Sequence, residues 1–209
     1  MLDAELAKIR SQASDPMLRA IRTQFWREAL YENEGGGHEL ARDLIACFSA
    51  DQLMFAKLDR LILAHEKFQD EEALLETLSK EYCERQAALF ELAHSYLLGG
   101  ESERSCDFYL QCGKAYGGGQ FICRHRPLFI GNEEHGQRLL HQTGVALEEI
   151  SADLRKLAPR GRAAVLPLAL AAPYLDLYQT SDRAGGQAID LHAARKLWLL
   201  WRAIRKGFD

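Results

Sequence analysis

The sequence has few of the residues that favour strands. Its 209 residues include only 9 Ile, 4 Thr and 2 Val, against 33 Leu and 28 Ala. Because β-branched side chains favour strands and Leu and Ala favour helices, this composition predicts an all-α chain. The length fits one large domain or two small ones. Since the sequence contains no internal repeat and no low-complexity tract, the economical prediction is a single helical domain over residues 1–209.

Paired cysteines and a strong charge of one sign are also missing. The five cysteines are odd in number and include no CxxC pair, which disfavours both a disulfide framework and a structural zinc site. A reducing cytoplasm is therefore the expected location. The formal net charge of −4 provides no overall basic field, so no nucleic-acid partner is expected.

Long apolar runs are absent as well. No stretch approaches the roughly 20 apolar residues that a membrane-spanning helix needs. The longest candidate, residues 163–177, is interrupted by Pro167 and Pro173. The first ten residues carry Asp3 and Glu5 where a signal peptide would have an apolar run. We therefore expect neither a spanning helix nor a signal peptide.

Sequence signatures of common catalytic sites do not occur. There is no HExxH, GxSxG, Walker loop or GxGxxG, and the seven histidines are singly placed. Helical enzymes that act on diphosphates hold Mg²⁺ with aspartates one helical turn apart. This sequence contains neither DxxxD nor DDxxD, and residues 108–151 contain no aspartate. No metal ion or other cofactor is therefore predicted.

Proline, glycine and capping residues divide the chain into helical segments. Asp15-Pro16 predicts a helix start, because Asp caps a helix and Pro fits its first turn. Ser49 with Gln52 resembles a capping box, and Asp70 is the predicted cap of a long helix. Residues 159–178 are predicted as one helical segment, and residues 191–206 as the last helix.

The glycine triplet 117–119 leaves two interpretations open. Three glycines within a helical pattern each cost about 1 kcal/mol relative to Ala, which favours a break between two helices. The alternative is a helix kept bare so that a ligand or a neighbouring backbone can approach closely.

The last helix has a different character from the others. Leu197, Trp198, Trp201 and Ile204 share one face with Ala194 and Phe208, and five basic residues lie between positions 195 and 206. Such a helix can lie in a membrane interface, or it can pack on the core with its basic side chains reaching to solvent. We favour core packing. For a membrane or partner surface, the candidate residues are Trp198, Trp201, Arg202 and Arg205.

Several segments resemble the squalene/phytoene synthase family. Residues 15–30, DPMLRAIRTQFWREAL, are similar to the family's EPMLGEIRLQWWREAL, and residues 82–88, YCERQAA, resemble its Y-C-x-x-V-A-G signature. Residues 113–116, GKAY, resemble the start of a second signature, and further similar pieces extend over nearly the whole chain. The resemblance implies a helical bundle of the trans-isoprenyl-diphosphate-synthase type, shortened at the N-terminus.

The chain departs from this family where the family binds metal. The first aspartate-rich motif would fall near residues 1–10, where only Asp3 and Glu5 remain. In the second signature Phe121 stands at an asparagine position, Arg124 keeps the arginine, and His125 replaces a metal-binding aspartate. Because Mg²⁺ requires hard oxygen ligands, histidine does not replace that carboxylate. The chain is more similar to the degenerate branch of the family, which includes the mitochondrial complex I assembly factor 6 and bacterial relatives.

The resemblance to this branch implies a non-catalytic pseudoenzyme. It implies binding of an isoprenoid, another lipid or a partner protein such as a respiratory-complex subunit, in the cytoplasm and in peripheral contact with the inner membrane. Two alternatives stay open: an active Mg²⁺-dependent prenyltransferase of isoprenoid biosynthesis, and an interaction module with a filled cavity. By position in the two signatures, the residues expected near a ligand cleft are Tyr82, Gln120, Phe121, Arg124 and His125.

Overall fold

The computed structural model describes residues 2–13, 15–31, 37–48, 52–67, 75–98, 104–181 and 187–208. Helices supply all the regular structure in these ranges, which contain no strand, so the all-α prediction is confirmed. Nothing in the structure identifies the bundle as the isoprenyl-diphosphate-synthase type, and that part stays a prediction. The chain divides into two compact units, residues 1–73 and 74–209, whereas the sequence predicts one domain.

The described part of the first unit consists of α1 (Leu2–Gln12), α2 (Pro16–Tyr31), α3 (Glu39–Phe48) and α4 (Gln52–Lys67). The Asp15 carboxylate accepts a hydrogen bond from the Met17 N–H at 2.8 Å, which confirms the predicted helix start. Asp3 contacts the His65 ring at 2.7 Å and so ties α1 to α4. The predicted caps Ser49 and Asp70 lie outside the described residues. Buried apolar side chains form the core of this unit: Leu6, Trp26, Leu30, Met54, Leu58, Leu61 and Ile62.

The second unit contains, in its described ranges, α5 (Leu75–Leu98), α6 (Cys106–Arg124), α7 (Glu133–Arg155), α8 (Pro159–Ala164), α9 (Ala171–Thr180) and α10 (Ala193–Lys206). Short 3₁₀ turns cover Arg126–Phe129 and Leu166–Leu170. The prediction of one helical segment over 159–178 is therefore wrong. Pro167, which lacks a backbone N–H, lies in the first turn of the 3₁₀ segment that separates α8 from α9.

Helix α6 runs unbroken through the glycine triplet, so the predicted break at residues 117–119 is wrong. Its glycines are the places where neighbouring helices approach it. A Cβ atom on Gly113 would collide with the Cys83 carbonyl and lie 2.7 Å from the Ala87 nitrogen, both in the backbone of α5. One on Gly117 would lie 3.1 Å from the Cys83 Cα. The bare surface therefore lets the backbones of α5 and α6 come together.

The other two glycines of the triplet face different helices. A Cβ atom on Gly118 would collide with the Thr143 hydroxyl of α7. One on Gly119 would lie 3.2 Å from the Tyr174 Cβ of α9. Helix α6 is consequently the central helix of the second unit, with α5, α7 and α9 packed around it.

We expect Gly113→Ala to lower the free energy of unfolding by about 2–3 kcal/mol, because the added methyl group meets backbone atoms that cannot move aside. Gly144→Ala on α7 is the matched control, since its Cβ would meet no atom within 4 Å. The control should be neutral or stabilising by up to about 1 kcal/mol. Urea unfolding followed by circular dichroism measures both variants. Equal stabilities would contradict the close contact of α5 with α6.

Candidate functional site

The five residues predicted to lie near a cleft come together where α6 ends against α5. The Tyr82 hydroxyl donates a hydrogen bond to the Gln120 side-chain oxygen. The Phe121 ring lies 5.3 Å from the Tyr82 ring and 4.6 Å from the His125 ring, measured between centroids. Arg124 is on the next turn of the same helix. We call Tyr82, Tyr116, Gln120, Phe121 and His125 the aromatic cluster.

The aromatic cluster is packed rather than open. Tyr82, Gln120 and Phe121 are buried, and His125 is half-buried. The Gln120 amide nitrogen donates to the Tyr116 hydroxyl at 2.9 Å. Burial, together with the charges of neighbouring groups, raises the pKa of Tyr116 to about 12, so its hydroxyl stays protonated at neutral pH. The side chains of the cluster hold one another in place through these hydrogen bonds and ring contacts.

Arg124, the fifth predicted residue, lies beside the Asp190 carboxylate, which the sequence analysis missed. Its guanidinium lies 3.3 Å from the Asp190 carboxylate. The same carboxylate accepts hydrogen bonds from the Lys196 ammonium and the Tyr174 hydroxyl, each at 2.7 Å, and from the Leu191 N–H at 2.8 Å. Asp190 therefore joins α6, α9 and α10. We call this arrangement the Asp190 clamp.

The electrostatics of the clamp favour the charged carboxylate. Partial burial by itself would raise the pKa of Asp190. The hydrogen bonds from Lys196 and Tyr174 and the positive charge of Arg124 outweigh it, and hold that pKa at about 2. The clamp was missed because Asp190 lies in residues 187–192, an irregular segment in which helical periodicity gives no signal.

An open cleft lies on another side of α5. It has a volume of about 630 Å³ between α5, α6 and α7, and the five predicted residues are not among the described residues that line it. Its apolar walls include Leu110, Leu139, Val145 and Ala146. Charged side chains of both signs also line it, namely Glu76, Lys80, Glu84, Lys114, Arg138 and Glu149.

The sequence analysis missed the cleft because the family signature singles out Tyr82, whereas the next residue, Cys83, lines the cleft. Tyr82 itself faces the aromatic cluster. Burial raises the pKa of the Cys83 thiol to about 12. The thiol therefore stays protonated at neutral pH and acts as part of the wall rather than as a nucleophile.

The described ranges contain no group of three or more His, Cys, Asp or Glu side chains placed to hold a metal ion. Nor does any helix in these ranges combine the length and apolar character needed to cross a membrane.

Helix α10 presents its tryptophan face to solvent. The exposed fractions are 69% for Leu197 and Ile204 and 53% for Trp198 and Trp201. The helix instead packs against the Leu166–Leu170 turn, and its buried residue is Ala203. The expectation that the tryptophan face packs on the core is therefore wrong.

Both tryptophans of α10 carry a cation on the ring. The Arg202 guanidinium lies 5.7 Å from the Trp198 ring centroid, and that of Arg205 lies 5.2 Å from the Trp201 centroid. The four residues named as surface candidates thus form two adjacent pairs on one exposed helix.

For the clamp, we expect Asp190→Asn to lower the free energy of unfolding at neutral pH by about 1–2 kcal/mol, because two cations lose their counter-charge at a partly exposed site. Since the folded pKa is below the ordinary value of 3.8, the clamp stabilises the fold above about pH 4 and loses this contribution as the pH falls towards 2. The difference between wild type and variant should shrink over that interval. Asp43→Asn, at an exposed position on α3, is the control and should change little.

Comparison of the chain with protein-family models, with curated proteins and with solved structures finds no match. The resemblance to squalene/phytoene synthases consequently rests on the sequence segments quoted above.

Proposed function

We propose that this chain is a non-catalytic protein of the squalene/phytoene synthase type, and that it binds an isoprenoid or a similar amphiphilic lipid in the cleft between α5, α6 and α7. The cleft is the observation that carries the proposal. Its volume of about 630 Å³ falls within the roughly 300–1,000 Å³ of typical small-molecule sites. The cytoplasmic location that the sequence suggests is part of the same proposal.

The walls of the cleft fit a hydrocarbon chain. Leu110 of α6 and Val145 and Ala146 of α7 present apolar side chains to the same space. Burying each CH₂ group of a ligand contributes about 0.8 kcal/mol. A chain of isoprene units would therefore gain most of its binding free energy from these walls.

The edge of the cleft fits an anionic head group. Lys80, Lys114 and Arg138 come from three different helices, and all three are exposed. Arg138 can meet a phosphate or diphosphate with two parallel hydrogen bonds, and the lysines add charge. Glu76, Glu84 and Glu149 line the same cleft and balance these charges, so the head group contacts the cations individually rather than through a general positive field.

The aromatic cluster supports a binding role over catalysis. Within it, His125 stands where the resemblance places a metal-binding aspartate, and it packs against the rings of Phe121 and Tyr82. Ionising an allylic diphosphate requires oxygen ligands that hold Mg²⁺. A ring-packed histidine offers no such oxygen.

We expect the full chain to bind farnesyl diphosphate and farnesol, measured by isothermal titration calorimetry. Gln142→Trp should weaken both at least tenfold, because Gln142 lines the cleft and the larger side chain occupies its mouth. Gln137→Trp is the matched control, since Gln137 is an exposed residue of the same helix outside the lining. Unchanged binding by Gln142→Trp would contradict the assignment of the cleft.

The head-group cations are tested separately. The double variant Lys114→Ala/Arg138→Ala should weaken farnesyl diphosphate at least tenfold, and farnesol much less, because the alcohol has no charge to lose. Arg155→Ala/Lys156→Ala, at exposed positions outside the cleft, should leave both affinities unchanged.

We further expect no release of pyrophosphate when the protein is incubated with farnesyl or geranylgeranyl diphosphate and Mg²⁺. A phosphate assay coupled to inorganic pyrophosphatase, run against a protein-free control, measures this. Turnover comparable with that of an ordinary synthase would replace the proposal with the alternative, an active prenyltransferase.

A further inference from the structure

The tryptophan face of α10 is an apolar stripe held rigidly at the protein surface. Leu197, Trp198, Trp201 and Ile204 follow the spacing of one helix face and are each more than half exposed. The opposite side of the helix packs on the Leu166–Leu170 turn. The His192 ring accepts a hydrogen bond from the Ala194 N–H at 3.3 Å, which caps the helix start. The stripe therefore belongs to a docked helix rather than to a loose tail.

The charge around the stripe has one sign. Residues 191–208 contain no Asp or Glu, although the chain as a whole carries a net charge of −4. Arg195, Arg202, Arg205 and Lys206 are all exposed, and Arg202 and Arg205 lie over the indole rings of the stripe. The fifth cation, Lys196, is bound by Asp190. A local excess of positive charge on an acidic protein complements an anionic surface.

The size of the stripe argues against a second protein as its occupant. From Leu197 to Ile204 a helix advances by only about 10 Å, at 1.5 Å per residue. Stable protein interfaces bury roughly 800 Å² on each partner, which is more than one such stripe supplies. Interface cores between proteins are also depleted in charge, whereas this stripe is bordered by cations over its whole length.

We propose that α10 docks parallel to an anionic lipid surface. Leu197, Trp198, Trp201 and Ile204 enter the boundary between head groups and acyl chains, where tryptophan is favoured. Arg202 and Arg205, each placed over an indole ring, lie at the level of the lipid phosphates together with Arg195 and Lys206. This surface is separate from the ligand cleft and does not depend on the function proposed for it.

The test uses the full chain and lipid vesicles. Flotation with phosphatidylcholine vesicles containing phosphatidylserine should recover the protein, and vesicles of phosphatidylcholine alone should bind it at least tenfold more weakly. Binding to the anionic vesicles should shift the tryptophan emission to shorter wavelength. Because Trp26, the remaining tryptophan, is buried in the first unit, this shift reports on α10.

Two variants separate the apolar and charged contributions. Trp198→Ser/Trp201→Ser should weaken binding to anionic vesicles at least tenfold, and Arg195→Glu/Arg205→Glu should abolish the preference for phosphatidylserine. Leu128→Ser/Ile130→Ser is the matched control, because these two apolar residues are also exposed but belong to the turn at Arg126–Phe129 and its cap rather than to α10. It should bind as wild type does. Circular dichroism should be unchanged in all three variants, since every altered side chain is exposed.

Several results would overturn the proposal. Equal binding to both kinds of vesicle, or full binding by the tryptophan variant, would remove the role of the stripe. Self-association that requires Trp198 and Trp201 in analytical ultracentrifugation, without vesicle binding, would assign the stripe to a second copy of the chain. Farnesyl diphosphate affinity measured without vesicles should not change in the tryptophan variant, so a failure here is distinct from a failure of the cleft proposal.

Discussion

The close approach of three helices to α6 is the constraint on which the second unit depends. Four glycines of α6 face α5, α7 and α9, and an added Cβ atom would collide at Gly113 and Gly118 and would be crowded at Gly117 and Gly119. Each glycine costs about 1 kcal/mol of helix stability, and the dense contacts between backbones offset that cost. The same contacts position the candidate sites. Gly117 lies close to Cys83, which lines the cleft, and Gln120, Phe121 and His125 of the aromatic cluster follow the triplet.

A single carboxylate then connects this packed centre to the surface. Asp190 lies in a segment without regular structure, yet it bonds to side chains of α6, α9 and α10. The Ile189 N–H donates to the Cys123 carbonyl of α6 at 3.0 Å, which fixes the segment beside the clamp. The ion pair between Lys196 and Asp190 holds the first turn of α10, and apolar packing holds the rest of the helix. Together they determine the direction in which the tryptophans face.

The sequence predicts the all-α class and the start of α2 because composition and capping act locally. It does not predict the continuity of α6. Local helix propensity includes the cost of each glycine, but it does not include the packing free energy gained when helices distant in sequence contact those glycines. Pro167 shows the opposite case, in which a local feature divides a segment that its apolar composition predicts as one helix. Its missing backbone N–H separates α8 from α9.

For the candidate site residues too, the sequence predicts some features and packing decides the others. Position in the signatures groups Tyr82, Gln120, Phe121, Arg124 and His125, and the structure places them near one another. Position in a signature does not reveal whether such side chains enclose a space or fill it. Periodicity locates the apolar face of α10 without telling which face is buried. Ala203, a small residue, packs inward, while two tryptophans remain outside.

The low pKa of Asp190 has a consequence for how the surface of α10 is controlled. A carboxyl group with a pKa of about 2 keeps its charge throughout the range of acidity that cells maintain. Acidification within that range therefore leaves the Asp190 clamp charged. The proposed docking also responds to the proportion of acidic lipid in the bilayer leaflet and to the ionic strength of the surrounding medium.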